Sequence, residues 1–195
     1  MPTVVVPFRG AAGKSRLRAP SAEVRTAIAE AMLEDVLAAC VEVGPTFVVA
    51  PPAAVPAGAT AVADPGHGQG SAVAAGLDAA VRAGGATPFL VVNADLPCAT
   101  VRDLFTLAGA VPDGGLAFVA AADGTTNALA LATPELFAPV YGPGSAQRFA
   151  ALGESRALDL ENLRDDVDTL DDLERLLARA GRRTRAALRA AKAAA

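Results

Sequence analysis

Apolar positions in this chain fall into two kinds of run. Thr3–Phe8, Thr46–Ala50 and Pro88–Asn93 are short, nearly unbroken and rich in valine, which predicts strands buried on both faces. Thr60–Asp64 predicts a weaker strand. Gly115–Ala122 and Asn127–Thr133 predict a pair joined by the turn around Asp123 to Thr126, and Arg164–Val167 predicts a final strand. Between these runs the period changes to that of a helix. Ser21 is suited to cap a helix reaching about Val43, with Val24, Ile28, Met32 and Val36 on one stripe before Gly44-Pro45 stops it. Ser71–Ala83 predicts a second helix ended by Gly84-Gly85, and Thr100-Val-Arg-Asp103 is a capping box opening a third. Short helices are expected after Pro134 and up to about Leu152. Thr169-Leu-Asp-Asp172 caps another that runs through Ala180, and the basic segment beyond it continues as helix.

Strands that alternate with helices predict an α/β fold, a single domain over residues 1–195 built on a doubly wound, mainly parallel sheet flanked by helices, with a basic helical tail over 181–195. In such sheets ligands bind beyond the C-terminal ends of the strands. Three suspicious segments fall there: the loop after the first strand, Asp95 after the 88–93 strand, and Asp166 with Asp168 at the expected last strand.

Composition narrows the chemistry. The chain has 195 residues, a net charge of −4 and 19% charged residues, which suits one folded, soluble domain and argues against a general nucleic-acid or membrane-surface binder. Only two cysteines are present, Cys40 and Cys98, so neither a disulfide framework nor a zinc spacing exists. No leader-like N-terminus and no uninterrupted apolar span is seen, and a reducing cytoplasm is the expected setting. The only histidine, His67, lies in a glycine-rich loop, and no Ser/His/Asp or Cys/His set is assembled for acyl transfer.

Only two of the basic residues are lysines, Lys14 and Lys192. Lys14 stands in Gly13-Lys-Ser15, but a Walker loop requires glycine where Phe8 stands, so a P-loop is excluded. What remains is a glycine-containing loop between strand and helix, with Lys14, Arg16 and Arg18 suited to a polyphosphate, or an ordinary exposed loop. Asp95 directly follows an apolar strand, where a carboxylate must be paired, hydrogen-bonded, capping a helix or on a metal. Asp166 and Asp168 alternate in the expected strand, so both would point to one face and repel unless a cation lies between them. Asp165, Asp171 and Asp172 are expected to face solvent or cap the final helix. The segments 124–127 and 141–145 each offer hydroxyls and backbone N–H groups for a small anion, or are plain turns.

Taken together these segments resemble the guanylyltransferases of coenzyme F-420 biosynthesis, the CofC/FbiD family of MobA-like nucleotidyltransferases. The resemblance is carried by Val4-Val-Val-Pro-Phe8 with Lys14-Ser-Arg-Leu17, the glycine loop from Asp64 to Gly70, Val92-Asn-Ala-Asp-Leu-Pro97, Asp123-Gly-Thr-Thr-Asn-Ala-Leu129, Tyr141-Gly-Pro-Gly-Ser145 and Asp166-Val-Asp-Thr-Leu-Asp-Asp-Leu173. It implies a GT-A-like fold and transfer of GMP from GTP to a phosphorylated three-carbon acid, with phosphoenolpyruvate favoured over 2-phospho-L-lactate. It also implies Mg²⁺ on Asp95, Asp166 and Asp168, and nucleotide phosphates on Lys14 and Arg16. Gly70 and its loop would lie beside base and ribose, and Thr126, Gly142 and Ser145 would hold the acid. A MobA- or cytidylyl-type transferase with another acceptor, or a non-catalytic phosphate-binding module, are the alternatives.

Overall fold

The computed structural model describes residues 1–10, 17, 19–50, 55 and 57–193. Lys14, Arg16 and Arg18 lie outside the described residues. The first apolar run forms β1 (Thr3–Pro7), every residue of which is buried. β2 (Thr46–Val49) pairs with it in parallel, and β3 (Thr60–Val62) extends the sheet as a more exposed parallel edge. On the other side β4 (Phe89–Val92) is also parallel to β1. β6 (Thr126–Leu131) then runs antiparallel to both β4 and β5 (Leu116–Ala120), and β7 (Ser155–Ala157) lies parallel to β5. The order is β3-β2-β1-β4-β6-β5-β7, a mixed, mainly parallel α/β sheet as the sequence predicts.

The unbroken apolar character of β1 and β4 has a direct cause. Val4, Val6, Leu90 and Val92 enter the core beneath α1 (Ala22–Val43) and α3 (Val101–Gly109). Val5, Phe89 and Val91 enter the opposite core, beneath α2 (Gln69–Arg82) and α4 (Ser145–Ala150). Side chains alternate across a strand, so a strand covered on both sides needs apolar residues at every position. Gly76 lets α2 sit directly on the sheet: a Cβ there would come within 2.4 Å of Val5 Cγ1 and 2.9 Å of Val49 Cγ2.

The single stripe expected on α1 is corrected to two buried sides. Leu33, Val36 and Cys40 face the sheet, while Ile28 and Met32 join Leu17, Cys98, Val167, Leu173 and Leu188 in a third apolar cluster. α6 (Leu170–Leu176) and α7 (Arg182–Ala193) supply the cover. The basic tail is therefore docked through Leu188 and Ala191, and its first turn is held by Asp35 of α1. Asp35 accepts the backbone N–H groups of Thr184 at 2.8 Å and Arg183 at 3.2 Å. Gly181 makes this approach possible, because a Cβ there would stand 2.2 Å from the Asp35 carboxyl carbon.

Two expectations fail at the C-terminal side. Arg164–Val167 is not a strand: Arg164 ends α5 (Glu161–Arg164), and residues 165–168 are irregular. The seventh strand lies earlier, at β7, a three-residue edge with little apolar content to betray it. The helix expected through Ala180 closes as α-helix at Leu176, although its Thr169/Asp172 capping box forms as read.

Candidate functional site

The strand ends leave a cleft of about 190 Å³. Its described lining includes Phe8, Arg9 and Gly10 after β1, Met32 of α1, Gln69 at the start of α2, and Asn93, Ala94 and Asp95 after β4. Its lining combines apolar side chains with amide, guanidinium and carboxylate groups. Asp95 is therefore where the sequence puts it, at the C-terminal end of a central strand.

Its backbone carbonyl accepts the N–H of Val167 at 3.1 Å, which pins the irregular 165–168 segment to the end of β4. Asp166 and Asp168 are thus presented by a loop rather than by strand alternation, a correction to how they come together. They do come together: the Asp166 carboxyl is held above the usual carboxylate range by burial, then by the negative charge of Asp95, and further by that of Asp168. The Asn127 amide opposes the rise by donating to Asp166 Oδ1 at 3.3 Å. Asn127 also donates to the Arg164 carbonyl at 2.9 Å.

Asp165 does not face solvent as expected. Its side chain is 12% exposed and receives Arg179 at 2.6 Å and Arg164 at 3.1 Å, with Arg175 at 3.7 Å. Burial works against its charge, but the bonds from Arg179 and Arg164 outweigh it and hold the carboxyl below its ordinary range. These arginines anchor the loop one residue before Asp166. Asp172 caps α6, as the sequence reading allowed.

The segments 124–127 and 141–145 are brought against each other, and Thr126 is tied to the cleft by its carbonyl, which accepts from the Asn93 amide. The Ala146 N–H donates to the Gly124 carbonyl, and the Ser145 hydroxyl donates to Thr126 Oγ1 at 3.1 Å. Ser145 and Thr126 are both buried. Gly142 has φ +106°, a conformation that favours glycine, and Gly144 is left-handed at φ +72°. Arg148 ties this turn together by donating to the carbonyls of Val140, Tyr141, Gly142 and Pro143. Gly70 packs against Pro139, where a Cβ would meet the proline Cβ at 2.6 Å, and its neighbour Gln69 is the residue lining the cleft.

Sequence reasoning did not single out Arg9 or Asn93, and it named the segments that hold Gln69 and Asn127 without pointing to their side-chain amides. The available signal lay in Asn93 and Asn127: asparagine is depleted in strands, and two of them at buried strand ends require hydrogen-bond partners. Arg9 and Gln69 carry no such mark in the sequence. Among the described residues, no three His, Cys, Asp or Glu side chains are grouped closely enough to hold a metal ion by themselves.

A mixed, mainly parallel sheet with carboxylates gathered beside a cleft at its strand ends places the chain among α/β proteins that bind ligands at the ends of their strands. A family model for the MobA-like NTP transferase domain matches residues 11–193, and the chain belongs to that family. It is 40% identical over 125 residues to a phosphoenolpyruvate guanylyltransferase of Sphaerobacter thermophilus, covering 61% of this chain and 60% of that relative's length. It is 35% identical to the phosphoenolpyruvate guanylyltransferase of Streptomyces coelicolor over 90% of each chain. A 2-phospho-L-lactate guanylyltransferase of Methanosphaerula palustris is 32% identical, over 90% of this chain and 84% of that one. Among solved structures, a protein of Desulfovibrio desulfuricans G20 described as a nucleotide-diphospho-sugar transferase superposes with a TM-score of 0.76 at 18% identity, over 99% of this chain and 96% of the other. The chain is thus a nucleotidyltransferase of GT-A/MobA-like fold.

Proposed function

We propose that this protein transfers GMP from GTP to a phosphorylated three-carbon acid, phosphoenolpyruvate in first place and 2-phospho-L-lactate next, releasing pyrophosphate as a step of coenzyme F-420 biosynthesis. The observation that carries this reading is the approach of Asp95, Asp166 and Asp168 to one another at the strand ends, with Asp95 lining the cleft. The likeness to guanylyltransferases along most of the chain supports the choice of nucleotide and acceptor.

The donor set suits a hard divalent cation such as Mg²⁺. Carboxylate oxygens are its preferred ligands, and one or two of them with phosphate oxygens and water suffice. A three-carboxylate cage is not required, which agrees with the spacing of the side chains. One or two of Asp95, Asp166 and Asp168, with phosphate oxygens and water, would hold the ion, which when bound would neutralise charge on the phosphates.

The chain's own groups then account for the rest. Lys14, with Arg16 and Arg9, binds the nucleotide's phosphates and balances charge on departing pyrophosphate. Thr126, Gly142 and Ser145 seat the acid. A phosphate oxygen of the acid forms a bond to the α-phosphorus of GTP as the α–β bridging bond breaks. That phosphate is already ionised near neutral pH, so no general base is needed, and the lack of a catalytic histidine follows. Catalysis rests on in-line placement and on charge complementarity. In this reading residues 1–195 act as one domain in the cytoplasm on small-molecule substrates. Among the described residues no helix is long and apolar enough to cross a membrane.

The test is incubation with Mg²⁺, each of the four nucleoside triphosphates and each phospho-acid, following pyrophosphate. Release is expected with GTP and phosphoenolpyruvate; no release with GTP and any phospho-acid contradicts the proposal. The MobA-like alternative with another acceptor predicts that GTP is used while every three-carbon acid is refused.

A further inference from the structure

The cleft contains an amide whose orientation is set by a chain of hydrogen bonds with only one consistent direction. The backbone carbonyl of Thr126 can only accept, so the contact with Asn93 at 3.3 Å must come from Asn93 Nδ2. That fixes the Asn93 carboxamide with Oδ1 towards Gln69, where it accepts from Gln69 Nε2 at 2.8 Å. Gln69 is fixed in turn. Its Oε1 makes no hydrogen bond to the described residues, and the residue lines the cleft together with Asn93 and Asp95.

The backbone beneath Gln69 is equally constrained. Gly68 has φ +95° and faces the Arg9 guanidinium, while Gly70 is pressed against Pro139. Asp64 Oδ1 accepts the Gly66 N–H at 2.8 Å and closes the preceding turn. Of residues 68–70, only Gln69 has a side chain to offer to a ligand. A carbonyl oxygen held in one orientation in a partly apolar cleft selects a ligand that brings a donor to that point, because an acceptor placed there leaves two lone pairs opposed.

We infer that Gln69 determines the nucleobase, its Oε1 accepting from the adjacent N1–H and 2-amino donors of guanine. This rests on the GTP reading of the preceding subsection. Adenine held in the same pose presents the N1 lone pair and a C–H at those positions, so it meets the same oxygen with no donor. Asn93 is the positioning residue that sets the direction of the Gln69 amide.

The experiment measures kcat/KM for pyrophosphate release from GTP, inosine triphosphate and ATP with the parent protein and with Gln69→Leu, at saturating phospho-acid and Mg²⁺. The parent should prefer GTP to inosine triphosphate, which lacks the 2-amino group, by about tenfold, the worth of one well-made hydrogen bond. Gln69→Leu should lower the GTP value by about tenfold or more and leave ATP nearly unchanged, so that the GTP/ATP ratio collapses. An unchanged ratio in the variant overturns the inference, as does an equal loss with every nucleotide, which would mark a contact to ribose or a role in loop structure. Equal use of GTP and inosine triphosphate by the parent also overturns it, and needs no variant to fold. A parent that releases no pyrophosphate from GTP with any phospho-acid refutes the underlying reading and this inference with it, an outcome distinct from an active parent with indifferent ratios.

Discussion

Removing the Asp35 carboxylate should undock the C-terminal helix from α1. In Asp35→Ala the first-turn N–H groups of Thr184 and Arg183 lose the acceptor they share. The two losses differ. Arg183 is exposed, so water can replace its bond, whereas Thr184 is 0% exposed and its N–H is left without a partner. Loss of an N-cap acceptor costs about 1 kcal/mol, and a buried donor left unpaired adds about 1–2 kcal/mol, so the expected destabilisation is about 2–3 kcal/mol. The favourable placement of a negative charge at a helix N-terminus is lost as well, and the cleft between α1 and Gly181 that the carboxylate fills is left open. For a chain of this length that corresponds to a fall in Tm of roughly 5–10 °C. Denaturant unfolding gives the free energy, and amide hydrogen exchange at 183 and 184 gives the local effect. Asp35→Asn, which keeps the shape and one acceptor oxygen, should lose about half as much. A parent-like midpoint for Asp35→Ala, within about 0.5 kcal/mol, together with unchanged exchange at those two amides, would refute the reasoning.

Three further outcomes are expected. Gly76→Ala gains helix propensity but drives a methyl into Val5 and Val49, and overpacking of this kind costs about 1–3 kcal/mol, so the variant should melt lower than the parent; a higher Tm would mean that α2 can shift outward. Burial pushes the Cys40 thiol up to about 12 and Cys98 to about 11, so at pH 8 the folded protein should react with a thiol reagent far more slowly than the unfolded chain, and rapid titration of both thiols would contradict their burial. Because the folded state favours the neutral thiols, their contribution to stability is complete below the unfolded pKa of 9.0 and is lost as pH climbs through the folded values. Asp95→Asn and Asp168→Asn should each cut turnover by orders of magnitude with the fold intact by circular dichroism; near-parental rates in either would remove that residue from the proposed cation site.

The fold was legible wherever burial on two faces forces an unambiguous residue choice. Val4–Val6 and Phe89–Val92 leave no other reading, and the capping boxes at Thr100 and Thr169 place helix starts to the residue. Legibility failed where tertiary contacts outweigh local pattern. β7 is one half-buried and two exposed residues that become a strand by hydrogen-bonding to β5, and nothing in Ser155-Arg-Ala157 declares it. The aspartates at 165–168 alternate like a strand but are shaped by the arginine cluster on Asp165 and by the bond from Val167 to Asp95. At the site Asp95 announced itself, as a carboxylate that directly follows a buried apolar strand. Gln69 and Asn93 did not, because an amide becomes informative only when its hydrogen-bond partners fix which end faces the ligand.

The central claim is that the strand-end carboxylates and the cleft join a GMP moiety to a phospho-acid. It is tested most directly by phosphorus NMR of one reaction containing the protein, Mg²⁺, GTP and phosphoenolpyruvate. The account predicts that the phosphoenolpyruvate resonance disappears as a pair of coupled diphosphate signals and stoichiometric pyrophosphate appear together. Unchanged GTP and phosphoenolpyruvate, with 2-phospho-L-lactate likewise inert in a parallel tube, would contradict it.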